Sequence, residues 1–392
     1  MKKNLLFLAA AAITLASCSS DETTAVNESD AISFRPLVNN VTRAANSTGV
    51  KSAFETDDVI NVYANFYDAS ETSNSKYFQD NFTKQDGSSF TSTVKYYWPA
   101  FDTDDKLTFT AIWGATQREG YPGQIESMEI PGNKDILVAR HEATAKEAAP
   151  TLNFRHALSQ VILKVKNTNP SLKITITDFE IGYVDKTGAF DFDRTSASGA
   201  TDTQETSVNG EAGTVTTGAT MIPASKWLNT AATAPSSKYS QTLASDVVFT
   251  ATNGGTSDNE VVTLGSPWIL LPQTQSKATE YVDDDATATV TSSTASDLSG
   301  AYFGIKMTIE SYNGSSTTGT LVSERWCCWP IAITWNPGYK YTYTINVGDG
   351  GYEPADVDGT AGLDPVLGDV IVFDADCTID NWIVSDAIVA FP

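Results

Sequence analysis

The clearest chemical motif in this 392-residue chain surrounds a cysteine near its start. The run Leu15-Ala16-Ser17-Cys18 matches the lipobox, in which the cysteine becomes the lipidated first residue once the signal peptide is removed. Two lysines and a short apolar stretch precede it, as in a secretory signal. That stretch is shorter than the about 20 apolar residues that span a bilayer. We therefore expect residues 1–17 to be a signal peptide and Cys18 to be the site of lipidation.

Three further cysteines follow, Cys327, Cys328 and Cys377. The first two are adjacent and point to opposite faces of a strand, which allows one bridge to Cys377 and leaves one thiol over. An equally good interpretation makes all three small buried hydrophobic residues. The chain has no C-x-x-C pair and no cysteine–histidine spacing typical of zinc sites, so we expect neither a metal nor a cofactor.

Catalysis by a nucleophile and a histidine base has little support, because the chain holds only His141 and His156. His156 lacks the surrounding motif of a nucleophilic site and is interpreted as a structural histidine. Asp191 and Asp193 have the residue type of a hydrolytic carboxylate pair, but acidic residues are abundant in this chain. The acidic clusters at 102–105 and 283–285 are interpreted as solvated loops and not as calcium sites. We expect the protein not to be an enzyme.

Two compositional features bear on binding partners. Loss of Lys2 and Lys3 with the signal peptide takes the formal net charge from -23 to -25, and a chain this acidic repels nucleic acid. Trp326, Trp329 and Trp335 lie in one region and have the chemistry either to stack on sugars or to fill a hydrophobic core. Core packing is the favoured interpretation.

Alternating apolar residues predict an all-β protein. The pattern is clear at 60–66, 107–112, 161–166, 302–310 and 339–347, with a turn at 335–338 that predicts a hairpin leading into the last of these strands. Residues 139–150 are small or charged and end at a proline, and we predict them to be a linker. The expected division is therefore an N-terminal β-sandwich at 44–150 and a C-terminal β-sandwich at 151–392.

A short apolar segment at 31–41 follows a polar tether. Pro36 has no amide donor, so this segment suits the margin of a sheet better than its interior. Arg43 comes directly after the segment, and the polar residues 46–51 beyond it leave Arg43 open to proteolysis. An ordinary surface arginine is the alternative interpretation.

The chain contains five short blocks: Y-W-P at 97–99 with L-T-F at 107–109, D-I-L-V-A at 135–139, N-F-R-H-A-L-S-Q-V-I-L-K-V at 153–165, L-L-P-Q at 270–273, and W-N-P-G-Y-K-Y-T-Y at 335–343. Taken together and in order, these blocks resemble the fimbrillin-like (Mfa-like) family of Bacteroidota, whose members are subunits of type V pili. They span nearly the whole exported chain.

The resemblance implies two tandem antiparallel Greek-key β-sandwiches of the transthyretin-like type. It also implies export as a lipoprotein to the surface of the outer membrane, followed by cutting after an arginine by an arginine-specific protease. We map the cut to the bond between Arg43 and Ala44, with Arg35 as a rival, so that 18–43 becomes a tether with a removable strand. Removal of that strand would open a groove, which a strand of a neighbouring subunit fills to form a fimbria.

For the donated strand, the resemblance points to residues 379–392. If the final strand belongs instead to the chain's own second sandwich, the resemblance implies a tip or accessory subunit and not a stalk subunit. The expected partners are other pilin subunits, the protease, the membrane through lipid at Cys18, and a host or bacterial surface ligand, with adhesion as the role. The alternative is a surface glycan-binding lipoprotein of a nutrient-uptake system, which would share the lipobox and the acidic charge.

Overall fold

The computed structural model of the chain describes residues 31–38, 51, 53–85, 87, 89–194, 222, 224–232, 237–250, 260–278, 280–281, 298–312, 318–352, 366–367 and 376–381. These residues contain strands, turns and two short 3-10 turns at Ala224–Lys226 and Val347–Asp349, with no α-helix among them. The prediction of an all-β fold is confirmed.

The strands of the first third of the described chain are β1 (Arg35–Val38), β2 (Val59–Asp68), β3 (Ser73–Lys84), β4 (Phe90–Thr91), β5 (Lys106–Trp113), β6 (Gln124–Glu129), β7 (Leu137–Ala143) and β8 (Thr151–His156). Those that follow are β9 (Ser159–Lys166), β10 (Leu172–Gly182), β11 (Thr187–Asp191), β12 (Trp227–Thr230), β13 (Lys238–Phe249), β14 (Val262–Thr263), β15 (Trp268–Leu270) and β16 (Thr274–Gln275). The last are β17 (Glu280–Tyr281), β18 (Leu298–Ser299), β19 (Tyr302–Ser311), β20 (Thr320–Pro330), β21 (Ile333–Thr334), β22 (Tyr339–Asn346) and β23 (Asp376–Asn381).

The first unit is a seven-stranded sheet in the order β1-β8-β7-β5-β2-β3-β4. Its strands alternate in burial because successive side chains of a strand point to opposite faces. The inward set forms one apolar core rich in aromatic rings, including Phe78, Phe82, Phe90, Phe109 and Phe154. The alternation predicted for 60–66 and 107–112 is therefore confirmed in β2 and β5.

The second unit is a sandwich of two sheets. One has the order β13-β10-β19-β20, and the other has the order β14-β9-β22-β23 with β15 also paired to β9. A single core lies between them, to which β10 and β19 contribute from one side and β9 and β22 from the other. Strands predicted at 161–166, 302–310 and 339–347 are present as β9, β19 and β22.

The hairpin predicted around 335–338 is wrong. Residues 337 and 338 do form a turn, with Gly338 in the left-handed region at φ 72°, but the strand before the turn pairs elsewhere, with β16. β22 instead runs parallel to β9 and antiparallel to β23. A second parallel pair joins β1 to β8, so the expectation of purely antiparallel sheets also needs correction. In both pairs, the intervening chain makes a long crossover, as a parallel pairing requires.

The predicted linker at 139–150 is wrong in its first half, because β7 covers Leu137–Ala143 and pairs with both β5 and β8. The small and charged residues of this segment suggested a linker. In the structure, His141 and Glu147 form a hydrogen bond of 2.8 Å, which lets a strand with polar residues pack inside the sheet. The continuing pairing carries the first sheet to His156 at the end of β8.

A three-stranded sheet, β12-β11-β6, joins the two units, because β6 lies before residue 150 and β11 after it. Beneath it is a third apolar core that draws Ile112 and Val138 from the first sheet, and Phe190, Trp227 and Leu271 from the later chain. We propose that the first unit comprises residues 31–156 and the second residues 159–381, with this shared sheet and core holding them together.

Candidate functional site

The N-terminal segment 31–38 lies between two strands of the first unit and pairs with both. On one side, the Ile32 amide donates to the Tyr96 carbonyl at 2.7 Å, and Phe34 and Phe90 exchange backbone hydrogen bonds at 3.1 and 2.8 Å. On the other side, β1 runs parallel to β8 with Leu37 opposite Asn153. Without this segment, β8 and β4 would be the two free edges of the sheet. The segment therefore closes the sheet upon itself.

Two apolar side chains anchor the segment. Ile32 is 4% exposed and Phe34 is fully buried. The Phe34 ring meets Phe82 and Phe109 edge-on, with centroids 5.0 and 4.9 Å apart, a favoured arrangement for aromatic pairs. Burial of each such side chain stabilises the fold by roughly 1.5–3 kcal/mol. Loss of the segment would expose an apolar groove with unpaired backbone groups on both walls.

Pro36 occupies the position that its chemistry predicts. The bonds to the Tyr96 and Phe90 side are made by Ile32 and Phe34, which precede β1, so β1 itself is the terminal strand in the sheet order and the missing amide of Pro36 leaves no gap in an interior ladder. Arg35 is exposed, and Leu37 keeps 43% of its surface accessible. The inward face of the segment is therefore apolar and its outward face is open.

The residues predicted for lipidation and cleavage, Cys18, Arg43 and Ala44, lie outside the described residues. The rival cleavage residue, Arg35, belongs to β1, and its amide donates to the Pro150 carbonyl at 2.9 Å. A protease needs an extended chain that is free of such pairing, so Arg35 is accessible to one only after β1 has separated from β8.

The C-terminal segment predicted to be donated is divided by the structure. Its first residues belong to β23, in which Ile379 lies opposite Tyr341 of β22, so that this strand completes the chain's own second sandwich. Residues 382–392, with Trp382 and Asp386, lie outside the described residues. Only the latter portion is outside a described strand pairing.

A buried cation beside the groove was not predicted as a functional residue, although it lies in the N-F-R-H block. Arg155 is 4% exposed, and its Nε atom has no hydrogen-bond partner in the part of the chain that the structure describes. Burial lowers the pKa of its guanidinium to about 10. On the same outward face, the Nε of Arg140 and the Oδ1 of Asn153 also lack partners among the described residues. The only sequence signal was an arginine in alternation with the apolar residues of a strand, which does not indicate whether it is paired.

Both histidines have structural partners. His156 Nδ1 lies 2.6 Å from Asp135 Oδ2 in a fully buried pair. His141 Nε2 lies 2.8 Å from Glu147 Oε1. The interpretation of His156 as a structural histidine is confirmed.

The carboxylates that were weighed as catalytic or calcium-binding groups also serve the fold. Asp191 accepts from the Gln124 side chain at 3.0 Å and from the Asp193 amide at 2.9 Å, and Asp193 pairs with Arg140 at 2.7 Å. Asp105 accepts from the amides of Ala69 and Asp102, both at 2.9 Å. The acidic run 283–285 lies outside the described residues.

Cys327 packs in the core of the second unit and Cys328 in a small cluster on the opposite face of β20, as their adjacency predicts. Burial raises the pKa of the Cys328 thiol well above its usual range. Trp329 and Trp335 fill the second core, and every tryptophan among the described residues is buried or half-buried. The interpretation of these tryptophans as core residues is confirmed for Trp329 and Trp335.

Within the described part of the chain, no three His, Cys, Asp or Glu side chains are grouped so that they would hold a metal ion. Nor does that part contain a helix with the length and apolar character needed to cross a membrane.

Comparison with solved structures finds proteins of low sequence identity. A fimbrial protein from Bacteroides vulgatus is 12% identical with a TM-score of 0.45, over 89% of this chain and 99% of that one. A proposed cell adhesion protein from Bacteroides ovatus is 15% identical with a TM-score of 0.43, over 91% and 99% of the two chains. A proposed cell adhesion protein from Parabacteroides distasonis is 8% identical with a TM-score of 0.41, over 90% and 98%. Likeness at this level carries no functional argument.

No curated protein matches the chain. The model of the fimbrillin-like family, however, matches residues 42–260, which is more than half of the sequence. This range begins beside Arg43 and includes the strands β2–β13, and so takes in the first sheet apart from β1, the shared sheet and part of the second sandwich. The chain therefore belongs to the fimbrillin-like family.

Proposed function

We propose that this chain is the precursor of a fimbrial subunit that assembles by exchange of an edge strand. Membership of the fimbrillin-like family makes it a structural, non-enzymatic protein with a pilin-like role in adhesion. In the proposed scheme, Cys18 carries the lipid that anchors the precursor at the outer membrane, and an arginine-specific protease cuts between Arg43 and Ala44. A subunit of the growing fimbria then occupies the groove that segment 31–38 leaves.

The observation that carries this proposal is the double pairing of segment 31–38. It satisfies backbone groups of Tyr96 and Phe90 on one wall and of β8 on the other, while Ile32 and Phe34 fill the core between them. An incoming strand with apolar residues at alternate positions would satisfy the same groups at once. A sheet closed by a terminal segment is suited to this exchange because only one short strand has to leave.

For the donated segment, we propose residues 382–392, since β23 already takes 376–381 into the chain's own sheet. These residues include Ala387, Val389 and Phe391, which supply apolar side chains at alternate positions for the groove. With this segment the chain serves as a stalk subunit. A chain whose tail does not leave its own sandwich would cap the fimbria instead.

The test is limited digestion of the unlipidated protein with an arginine-specific protease, followed by mass analysis of the N-terminus and electrophoresis without boiling. We expect a new N-terminus at Ala44 and a ladder of detergent-resistant oligomers. Arg43→Ala should abolish both, whereas the matched variant Arg35→Ala should leave both unchanged. Cutting at Arg35 would overturn the assignment of the cleavage site, and a clean monomer after the cut at Arg43 would overturn self-assembly.

A further inference from the structure

Arg155 is a buried cation that forms no ion pair with any of the described residues. The residue is 4% exposed, and its Nε has no hydrogen-bond partner among the described residues. A buried charge is costly unless it is paired and hydrogen-bonded, because water no longer solvates it. Its lowered pKa has the same cause, since burial is what shifts it. The position therefore favours a carboxylate that is not part of the described fold.

Near Arg155, a second arginine also has a nitrogen without a partner among the described residues. The pairing of β7 with β8 sets Arg155 opposite Val138, with Arg140 two residues further along the same face of β7. Arg140 uses its outer nitrogen on Asp193 at 2.7 Å, which leaves its Nε without a partner. Asp193, which reaches this face, is therefore already engaged with Arg140, and no ion pair joins a described carboxylate to Arg155.

The position of Arg155 relative to the groove indicates where a carboxylate would come from. β1 and β8 pair in parallel with Leu37 opposite Asn153 and Val38 opposite Phe154. If a strand in this groove extends the pairing by one residue, that residue lies opposite Arg155 and its side chain points outward. The Cβ atoms of the two residues are then about 5 Å apart. The residue that follows Val38 in the sequence is Asn39, which has no formal charge.

We propose that Arg155 recognises a carboxylate in the exchanged strand, and that this carboxylate is Asp386 of a second copy of the chain. The inference rests on the proposed function, because it concerns the strand that replaces β1. Asp386 is the only charged residue in 382–392, and its sign is opposite to that of Arg155. Arg155 thereby selects both the identity and the register of the strand that enters.

The order of residues in the tail determines its direction. Consider first an antiparallel tail with Asp386 beside Arg155. Its residues Ala387, Val389 and Phe391 would take the inward positions that Val38, Pro36 and Phe34 hold in the uncut chain. A parallel tail with Asp386 at the same place would put Asn381 at the position of Phe34, which is fully buried among aromatic rings, and Asn381 is already paired in β23. Only the antiparallel direction supplies an aromatic ring to that pocket and a carboxylate to Arg155.

The test uses fluorescent peptides of sequence 382–392 that are present in excess while the full-length protein is cut at Arg43. The peptides are the native sequence, Asp386→Asn and Asp386→Lys, so the principal comparison needs no change in the protein. We expect the native peptide to be captured, the Asp386→Asn peptide to bind at least tenfold more weakly, and the Asp386→Lys peptide more weakly still. With Arg155→Gln protein, the native and Asp386→Asn peptides should bind equally, which completes a double-mutant cycle.

The matched control is Arg140→Gln, which removes a neighbouring cation already paired with Asp193 and should preserve the discrimination between peptides. Equal capture of the native and Asp386→Asn peptides by the unmodified protein would overturn the role of Arg155 and leave strand exchange standing. Failure of the cut protein to capture any peptide would overturn this proposal together with the donation of the tail. If Arg155→Gln does not fold, Arg155→Lys replaces it and should retain a preference for the acidic peptide.

Discussion

His156 Nδ1 lies 2.6 Å from Asp135 Oδ2, and the two side chains are fully buried although they are 21 residues apart. Asp135 also accepts from its neighbour, the Ile136 amide, at 2.8 Å and from the Lys51 amide at 3.3 Å. The carboxylate thus ties the start of β7, the end of β8 and the residue Lys51 to one point. The D-I-L-V-A block therefore supplies one member of this pair and the N-F-R-H block supplies the other.

We expect Asp135→Ala to destabilise the protein by about 3 kcal/mol or more. The change leaves a buried imidazole and two amides without their acceptor, and each orphaned buried group costs about 1–3 kcal/mol. Urea unfolding measures the loss. The control is Asp193→Ala, which removes a mostly exposed carboxylate paired with Arg140 and should cost no more than about 1 kcal/mol. Equal losses in the two variants would show that the Asp135–His156 pair has no special structural weight.

Phe34→Ala should destabilise the uncut protein by about 3–5 kcal/mol, the usual cost of truncating a buried phenylalanine. It should also speed release of the N-terminal segment, which timed digestion by an arginine-specific protease would follow. Leu37→Ala changes the same strand at a position that is 43% exposed, so it should alter stability by about 0.5 kcal/mol at most. If the two variants behave alike, the segment is not held by its inward side chains.

Tyr239 gives the protein a dependence on alkaline pH. Its hydroxyl donates to the Ile130 carbonyl at 2.8 Å, and burial together with the charge of Glu129 raises its pKa well above 10.0. The folded state therefore favours the neutral phenol, so this contribution to stability is complete below about pH 10 and falls as the unfolded-state phenol ionises above that value. Tyr239→Phe should lose about 1 kcal/mol at pH 7 and decline less steeply from about pH 10 to 12. Parallel slopes for the two proteins in urea unfolding would contradict this expectation.

Arg155→Met should stabilise the uncut protein by about 1–4 kcal/mol, because an apolar side chain of similar length removes a buried charge whose Nε has no partner among the described residues. The comparison is Arg140→Met, in which the pairing with Asp193 is lost and no stabilisation is expected. Thermal and urea unfolding of both variants measure the difference. A destabilised Arg155→Met protein would mean that the guanidinium is already compensated in the folded chain.

The sequence predicted the strands whose apolar residues alternate most clearly, such as β2 and β19, because one face of each is buried in a core. It did not predict β7, since His141 and Arg140 interrupt the pattern and find partners only in three dimensions, in Glu147 and Asp193. The alternation of apolar residues also did not predict the direction in which strands pair. Alternation is the same in parallel and antiparallel strands, so the parallel arrangement of β22 and β9 has no local signature.

The candidate site, too, was predicted only in part from the sequence. Pro36 and the alternation of Ile32 and Phe34 were sufficient to predict a marginal strand, and β1 has that place. The bonds that this segment makes to Tyr96 and Phe90, and the missing partner of Arg155, depend on which strands become neighbours. Long-range pairing of this kind is determined by the packing of the whole unit and not by the residues beside each position in the chain.

In the proposed scheme, the pairing of segment 31–38 within the first sheet would also make assembly irreversible. While the chain is intact, a segment that frays from β8 returns at once, because its tether holds it at an effective concentration on the order of millimolar. After hydrolysis at Arg43, a segment that dissociates would be diluted into its surroundings. It would then no longer compete with the donated strand of another subunit for the groove. The cut would thus make dissociation of the segment irreversible. The time that buried Phe34 takes to leave the core would then set the interval before each subunit is added.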